Sequence, residues 1–170
     1  MQRSQDRRHA HGQECKDNNL IFMEYLIDGT DKVLGRVASQ AAKLLLNENS
    51  VAVVNAERMI ITGHEKNITE KYKRLIDLKD KANPEHSPYW PRRPDMFVKR
   101  IVRGMLPYKK PKGKAAFKRL RVYVGFPEEL KKTKEFGAES RGAHEIFENT
   151  ITIKDLTQKL GYDRDEANGK

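Results

Sequence analysis

Within residues 24–54 the chain passes from a strand pattern through an amphipathic helix to a second strand pattern, and no other stretch narrows the fold so far. Glu24–Asp28 (EYLID) reads as a strand. Gly29-Thr30-Asp31 follows as a turn, with Thr30 or Asp31 as the candidate helix N-cap. Leu34, Val37, Ala38, Ala41, Leu44 and Leu45 then recur at helical spacing, and Asn47 stands where a C-terminal cap belongs. Val51–Val54 is a continuous apolar run, the pattern of a strand buried on both faces. Strand, helix and strand joined by short connections make a right-handed βαβ unit, which requires parallel pairing. The reading is an α/β domain, with Met59–Thr62 as a further short strand ending at Gly63. Its first strand-to-helix turn, DGTDKVLG, lacks both the close glycines of a dinucleotide fingerprint and the Gly-Lys-Ser/Thr ending of a phosphate loop. Gly35 is therefore assigned to close helix–sheet packing rather than to phosphate binding.

The charge of the chain sits elsewhere. Tyr89–Arg121 carries Arg92, Arg93, Lys99, Arg100, Arg103, Lys109, Lys110, Lys112, Lys114, Lys118, Arg119 and Arg121 against one acid, Asp95. Twelve cations less one anion give this block +11, while the whole chain is +10. The remainder is close to neutral, so the block has the electrostatic footprint of a polyanion-binding surface. It also has helical order. Pro94 suits the first position of a helix, and Phe97, Val98, Ile101, Val102 and Met105 share one side of it at 100° per residue, with Lys99, Arg100 and Arg103 on the other. Pro107 ends that helix, and Tyr108–Lys114 reads as a Lys/Pro/Gly loop. A second short helix is predicted with Ala116, Phe117 and Leu120 inward and Lys114, Lys118 and Arg121 outward. It leads into a strand at Val122–Val124. An ordered scaffold of this kind presents cations as a shaped surface rather than a solvated tail.

The flanking regions carry less. Residues 1–22 are polar and aperiodic and are expected to be disordered, with Met23 as an alternative start. His9, His11 and Cys15 do not complete a four-ligand zinc site, so no metal is assigned. The single cysteine excludes an intramolecular disulfide framework, the first residues have no hydrophobic signal core, and no apolar run reaches the ~20 residues that span a bilayer. Asn67–Lys81 reads as a mixed-charge helix with Asn67 and Glu70 at capping-box spacing and Ile68, Tyr72, Leu75 and Ile76 inward. Asn67-Ile68-Thr69 fits a glycosylation pattern without a secretory context. In the proline-rich Asn83–Pro91, His86 has no identifiable nucleophile or carboxylate partner. Tyr89 and Trp90 leave two readings open: stacking on a splayed base or ribose, or packing against the first basic helix. Glu128–Asn149 lacks periodicity and suggests an excursion over a surface. Thr150–Ile153 reads as briefly extended. Thr152 and Asp155 have capping-box spacing ahead of a short helix with Ile153, Leu156 and Leu160 inward, ended by Gly161.

The wording of the basic block is itself informative. VRGMLPYK at Val102–Lys109 and KGKAAFKRLRVYVGFP at Lys112–Pro127 resemble the signature region of the L-thirteen family of large-subunit ribosomal proteins. IDGTDKVLGRVAS at Ile27–Ser39 and VVNAERMIITG at Val53–Gly63 resemble the family's other two blocks, in the same order, and the whole is closer to the archaeal and eukaryotic branch. The resemblance covers residues 24–127 and implies a three-layer α/β/α fold with a small, mostly parallel four-stranded sheet, binding to large-subunit rRNA, and a part in subunit assembly. It divides the chain into an N-terminal extension (1–22), an rRNA-binding α/β domain (23–127) and a C-terminal extension with a short helix (128–170). It also implies that Arg103 and Lys109 meet phosphates, that Met105 and Leu106 hold the helix end on the core, and that Gly104 lets a backbone come close.

Three function classes follow. The first is a structural rRNA-binding constituent of the ribosome in the cytoplasm, with rRNA and neighbouring ribosomal proteins as partners, the twelve cations above as its contacts, and no catalytic residue, cofactor or small-molecule substrate. The second, an enzyme on a nucleic acid or nucleotide, needs a convergent acid/base or metal cluster, and the carboxylates here are dispersed. The third, membrane-surface binding by the basic helix, lacks the apolar length and aromatic belt that an interfacial helix needs.

Overall fold

A computed structural model describes residues 25–128, 130 and 149–162. The N-terminal extension and most of the Glu128–Asn149 excursion lie outside the described residues. The chain runs β1 (Tyr25–Asp28), α1 (Leu34–Leu46), β2 (Val51–Val54), β3 (Ile60–Thr62), α2 (Glu65–Asp77), α3 (Pro94–Met105), α4 (Pro111–Lys118), β4 (Leu120–Val122), β5 (Thr150–Thr152) and α5 (Ile153–Lys159). Strands β1, β2 and β4 form a parallel sheet with β2 in the centre, Tyr25 opposite Val51 and Leu120 on its other side. Strands β3 and β5 pair antiparallel as a separate ribbon, and Val33 bridges to Ile60. The fold is α/β with mostly parallel pairing, its strands among the described residues divided three and two.

The central strand shows why the continuous apolar run was needed. Val51, Ala52, Val53 and Val54 are all fully buried. Val51 and Val53 join the main core with α1, α3 and α5, while Ala52 and Val54 turn to the opposite face and meet Leu26, Leu130 and Tyr123. Alternation along a strand of period two thus buries four consecutive residues only when both faces are covered. On the main-core side, Tyr72 of α2, Trp90 and Phe97 of α3 form an aromatic triangle with centroid separations of 4.9 to 6.0 Å. Desolvation there pushes the Tyr72 hydroxyl above its ordinary pKa. The triangle ties α2 and the segment before α3 to the body, and full burial of the Phe97 ring alone is worth roughly 1.5–3 kcal/mol.

Several local expectations are corrected. Neither Thr30 nor Asp31 caps α1; the N-cap position is Val33, without a side-chain bond. The Thr30 hydroxyl is engaged elsewhere. Asp28 Oδ1 accepts from it at 2.8 Å, from the Thr30 N–H at 3.0 Å and from the Asn55 side-chain amide at 2.8 Å. Asn55 holds φ at +54°, a left-handed conformation that asparagine tolerates, and so latches the ends of β1 and β2 together. Gly35 is exposed, and a Cβ there would meet nothing within 4 Å, so it does not serve close helix–sheet packing. Helix α2 starts at Glu65 rather than Asn67 and has no capping box, because Gly63 at φ +128° turns the chain straight out of β3. By contrast α5 has a side-chain N-cap at Thr152, although the bond returned to Asp155 comes from the Thr152 hydroxyl and not from its backbone N–H, so half of the expected capping box is made. The Asp155 N–H donates to Thr152 Oγ1 at 3.1 Å, and the Thr152 hydroxyl donates to Asp155 Oδ2 at 2.7 Å. Ile153, Leu156 and Leu160 face inward as expected.

The Asp28 latch generates a pH prediction. Burial pushes its carboxyl up, but the Asn55 amide, the N–H and hydroxyl of Thr30 and the charge of Lys32 outweigh that and hold it below its ordinary value. A carboxyl depressed in the folded state contributes stability that is present above the unfolded pKa of about 4 and is lost as pH falls through the lower folded value. Thermal melts should show Asp28→Asn less stable than the parent at neutral pH, with the gap closing as the pH is taken from about 5 to about 2. A gap of constant size across that range would contradict the assignment.

Candidate nucleic-acid interface

Helix α3 is the base of the cationic surface. Pro94 occupies its first turn, and Phe97, Val98 and Val102 are fully buried, so the inner face is fixed. Helical geometry then places Met96, Lys99, Arg100 and Arg103 within one outward stripe, since residues three, four and seven apart share a face. The guanidinium of Arg100 lies 5.5 Å from the Trp90 ring centroid, and that of Arg103 lies 4.0 Å from the Tyr108 ring. Each aromatic face restrains an arginine while leaving part of its fork available, because a guanidinium stacks through its plane and donates at its edge.

The end of this helix departs from expectation. Met105 is 42% exposed, although its angular position is inward, because the helix has run past the end of the core; Leu106 alone is buried there. The loop is also shorter than predicted. Helix α4 begins at Pro111, not after Lys114. Gly113 explains the shift: a Cβ at that position would stand 2.2 Å from the Pro107 carbonyl oxygen. The first turn of α4 therefore packs directly on the backbone of the α3–α4 connection. This close approach folds Pro107–Lys110 into a tight turn closed by the Lys110 N–H donating to the Pro107 carbonyl at 2.9 Å. Ala116 is buried, while Phe117 is half-buried with its ring edge-on to Tyr108 at 5.6 Å rather than fully inward. Strand β4 likewise comes earlier than Val122–Val124, at Leu120–Val122.

The twelve cations fall into groups. Arg92 and Arg93 are exposed at the entry to α3, with Arg93 Nε 3.2 Å from Asp95 Oδ1. Lys99, Arg100 and Arg103 line its outer face, and Lys109 and Lys110 stand exposed on the turn. Lys114 and Lys118 lie on the side of α4 opposite the buried Ala116, whereas Lys112, also exposed, is rotated away from them. Two do not join the platform. Arg119 reaches back so that Nη2 donates to the Leu45 carbonyl at 3.4 Å, placing its charge at the C-terminal end of α1, where a cation is favourable by about 0.3–1 kcal/mol. Arg121 is paired in register with Ala52, whose side chain faces the other core, so it emerges from the sheet face away from α3. Trp90 packs into the aromatic triangle, while Tyr89 is 80% exposed. The proline-rich segment also shapes an open cleft of about 810 Å³ between the end of α2 and the start of α3. No periodic pattern marks it in the sequence, because most of its lining comes from the irregular segment between α2 and α3.

Among the described residues no group of three His, Cys, Asp or Glu side chains is placed to hold a metal ion, and no helix is long and apolar enough to cross a membrane. The family model for ribosomal protein L13 matches residues 23–129. The chain belongs to the ribosomal protein L13 family. Large ribosomal subunit protein uL13 of Methanococcoides burtonii is 41% identical over 137 residues, covering 80% of this chain and 96% of the relative. Its counterpart in Methanopyrus kandleri is 42% identical over 143 residues, covering 81% and 86%. That of Haloarcula marismortui is 46% identical over 104 residues, covering 61% and 69%. The archaeal flavour of the wording is thus reflected in its relatives. Membership of the L13 family makes the chain a ribosomal protein, a structural constituent rather than an enzyme.

The geometry of the turn yields a stability prediction. Gly113→Ala forces its methyl group against the Pro107 carbonyl, so chemical denaturation should show a loss of about 1–3 kcal/mol, the usual cost of overpacking. An unchanged midpoint would mean that the two backbones can separate freely.

Proposed function

We propose that this L13 family member binds large-subunit rRNA through the α3–turn–α4 platform and, in doing so, holds folded RNA within the assembling large subunit beside neighbouring ribosomal proteins in the cytoplasm. The observation that carries the reading is the stripe of Lys99, Arg100 and Arg103 on a helix whose opposite face is anchored by the fully buried Phe97, Val98 and Val102. Rigid docking of that face fixes where the cations point. Lys109, Lys110, Lys114 and Lys118 extend the stripe, Arg92 and Arg93 precede it, and Lys112 adds to the field from a different side. Arg119 and Arg121 belong to the body by their geometry. Affinity would come chiefly from phosphate neutralisation, and register from RNA shape and a few stacked or groove contacts. No membrane and no small-molecule substrate enters this reading.

Gly104 has a distinct part in it. The residue is exposed in the last turn of α3, its φ is not positive, and an added Cβ would meet nothing within 4 Å. Nothing within the described residues requires glycine there, and glycine in a helix costs roughly 1 kcal/mol relative to alanine. A ribose–phosphate backbone passing close to α3 supplies the requirement.

Two outcomes are expected with a large-subunit rRNA fragment as the ligand. Replacing Arg100 and Arg103 together by Ala should weaken binding and reduce the slope of log K against log salt by about two, since each lost phosphate contact removes roughly one unit. An unchanged slope would remove these arginines from the interface. Gly104→Ala should move stability and function in opposite directions, raising the melting temperature of the free protein by a few degrees, from a gain of up to ~1 kcal/mol, while weakening RNA binding. Undiminished RNA affinity in that variant would sink the close-approach reading.

A further inference from the structure

The cleft beside α3 has apolar walls that the cations of the platform do not cover. Leu78, Pro88, Tyr89, Trp90 and Met96 line it, with Arg92 at its edge. Leu78 is 53% exposed and Met96 is 44% exposed, so an apolar floor is open to solvent. Tyr89 is 80% exposed, and its ring meets no other ring among the described residues. Trp90, one of the lining residues, is held in place by its ring contacts with Tyr72 and Phe97. The volume of about 810 Å³ falls in the range of about 300–1,000 Å³ typical of small-ligand sites.

The charges around the cleft decide what fits. Lys79, Lys81, Arg92 and Arg93 line it together with Asp80 and Glu85. The Asp80 carboxylate is engaged internally, accepting from the N–H groups of Ala82 and Asn83 at 3.1 and 3.2 Å. Arg93 is paired with Asp95, whereas Lys79, Lys81 and Arg92 have no ion-pair partner among the described residues. An apolar peptide has no need of three cations that are unpaired among the described residues around its groove. A flat aromatic group attached to phosphates uses both features.

Met96 makes the cleft continuous with the α3 stripe, because it lies on the same side as Lys99 and Arg103, three residues or ~4.5 Å of helix rise before the former. We infer that the cleft receives an unpaired nucleobase of the RNA strand lying along α3, with Tyr89 stacking on the base and Arg92 with Lys79 or Lys81 holding the adjoining phosphates. The inference rests on the RNA-binding reading above and adds a base-accepting site to it. Stacking on an aromatic side chain is sequence-tolerant, so the site selects an unpaired nucleotide over a duplex rather than one base over another.

Trp90 is the only tryptophan of the chain and reports on the cleft directly. The full-length protein is titrated with hexaadenylate, with an abasic ribose–phosphate oligomer of the same length, with a blunt RNA duplex and with a neutral leucine-rich peptide. Hexaadenylate should quench Trp90 emission more than the abasic oligomer or the duplex does. Tyr89→Ala should weaken hexaadenylate about fivefold to a hundredfold, the range expected for one lost stacked base, and leave the abasic oligomer unchanged. Tyr89→Phe should stay within about twofold of the parent, because the stacking face is kept. Equal hexaadenylate binding by parent and Tyr89→Ala, or an equal loss on the abasic oligomer, overturns the proposal. Quenching by the peptide but not by hexaadenylate overturns it as well and makes the cleft a protein-docking surface. If the Arg100/Arg103 double variant loses hexaadenylate binding while Tyr89→Ala does not, the cleft assignment falls and the platform stands. If neither variant changes any RNA affinity, the rRNA-binding reading falls with it.

Discussion

The burial of one side of α3 is the contact on which the remaining arrangement depends. Phe97, Val98 and Val102 are sealed against the core, so the helix cannot roll. Arginines and lysines on long flexible stems would otherwise sample many directions and lose side-chain entropy of up to about 2 kcal/mol each on binding. Packing Arg100 on Trp90 and Arg103 on Tyr108 removes part of that cost before any ligand arrives. Hydrophobic contact inside thus becomes electrostatic direction outside. The same aromatic rings serve both the core and the orientation of charge.

Helix α1 and the parallel sheet supply the surface against which α3 is sealed. The Asp28–Asn55 latch lies at one end of that sheet, where β1 and β2 finish. At the other end Arg119 donates to the last turn of α1 as the chain enters β4. A second carboxylate acts in the same way as Asp28, since Glu57 accepts from the Gly125 N–H at 3.0 and 3.1 Å. Polar side chains therefore hold the strand ends, while the centre is left to valines and alanines. Charge on this protein is divided between holding loops in place and facing outward, and local sequence does not reveal which cation does which.

That division sets the limit of what the sequence reveals. Val51–Val54 was readable because four apolar residues in a row have one economical explanation, and α3 was readable because its period is uninterrupted from Phe97 to Val102. Met105 was misplaced because angle alone says nothing of where a core stops. The first turn of α4 was hidden because Gly113 depresses helix propensity locally, and only the nearby Pro107 carbonyl shows why glycine stands there. Thr30 looks like a cap until its hydroxyl is seen to donate to the neighbouring Asp28 and to accept from the distant Asn55 side-chain amide. Arg119 and Arg121 carry the same formal charge as their neighbours, yet a backbone carbonyl and a strand register draw them away from the platform. The α/β class and the identity of the basic block were local properties. The β3–β5 pairing and the cleft were not.

The β3–β5 ribbon has a consequence for how the molecule is made. Ile60–Thr62 pairs with Thr150–Thr152, across nearly ninety residues of intervening chain. At a synthesis rate of about 5–20 residues per second, the partner strand emerges roughly 4 to 18 s after the first. During that interval the three-residue edge at Ile60 has unsatisfied hydrogen-bonding groups, and Ile151, Ile153 and Leu156 are missing from the core. The nascent protein therefore completes this core late, and α5 acts as the closing clasp of a body whose cationic α3 has already been translated.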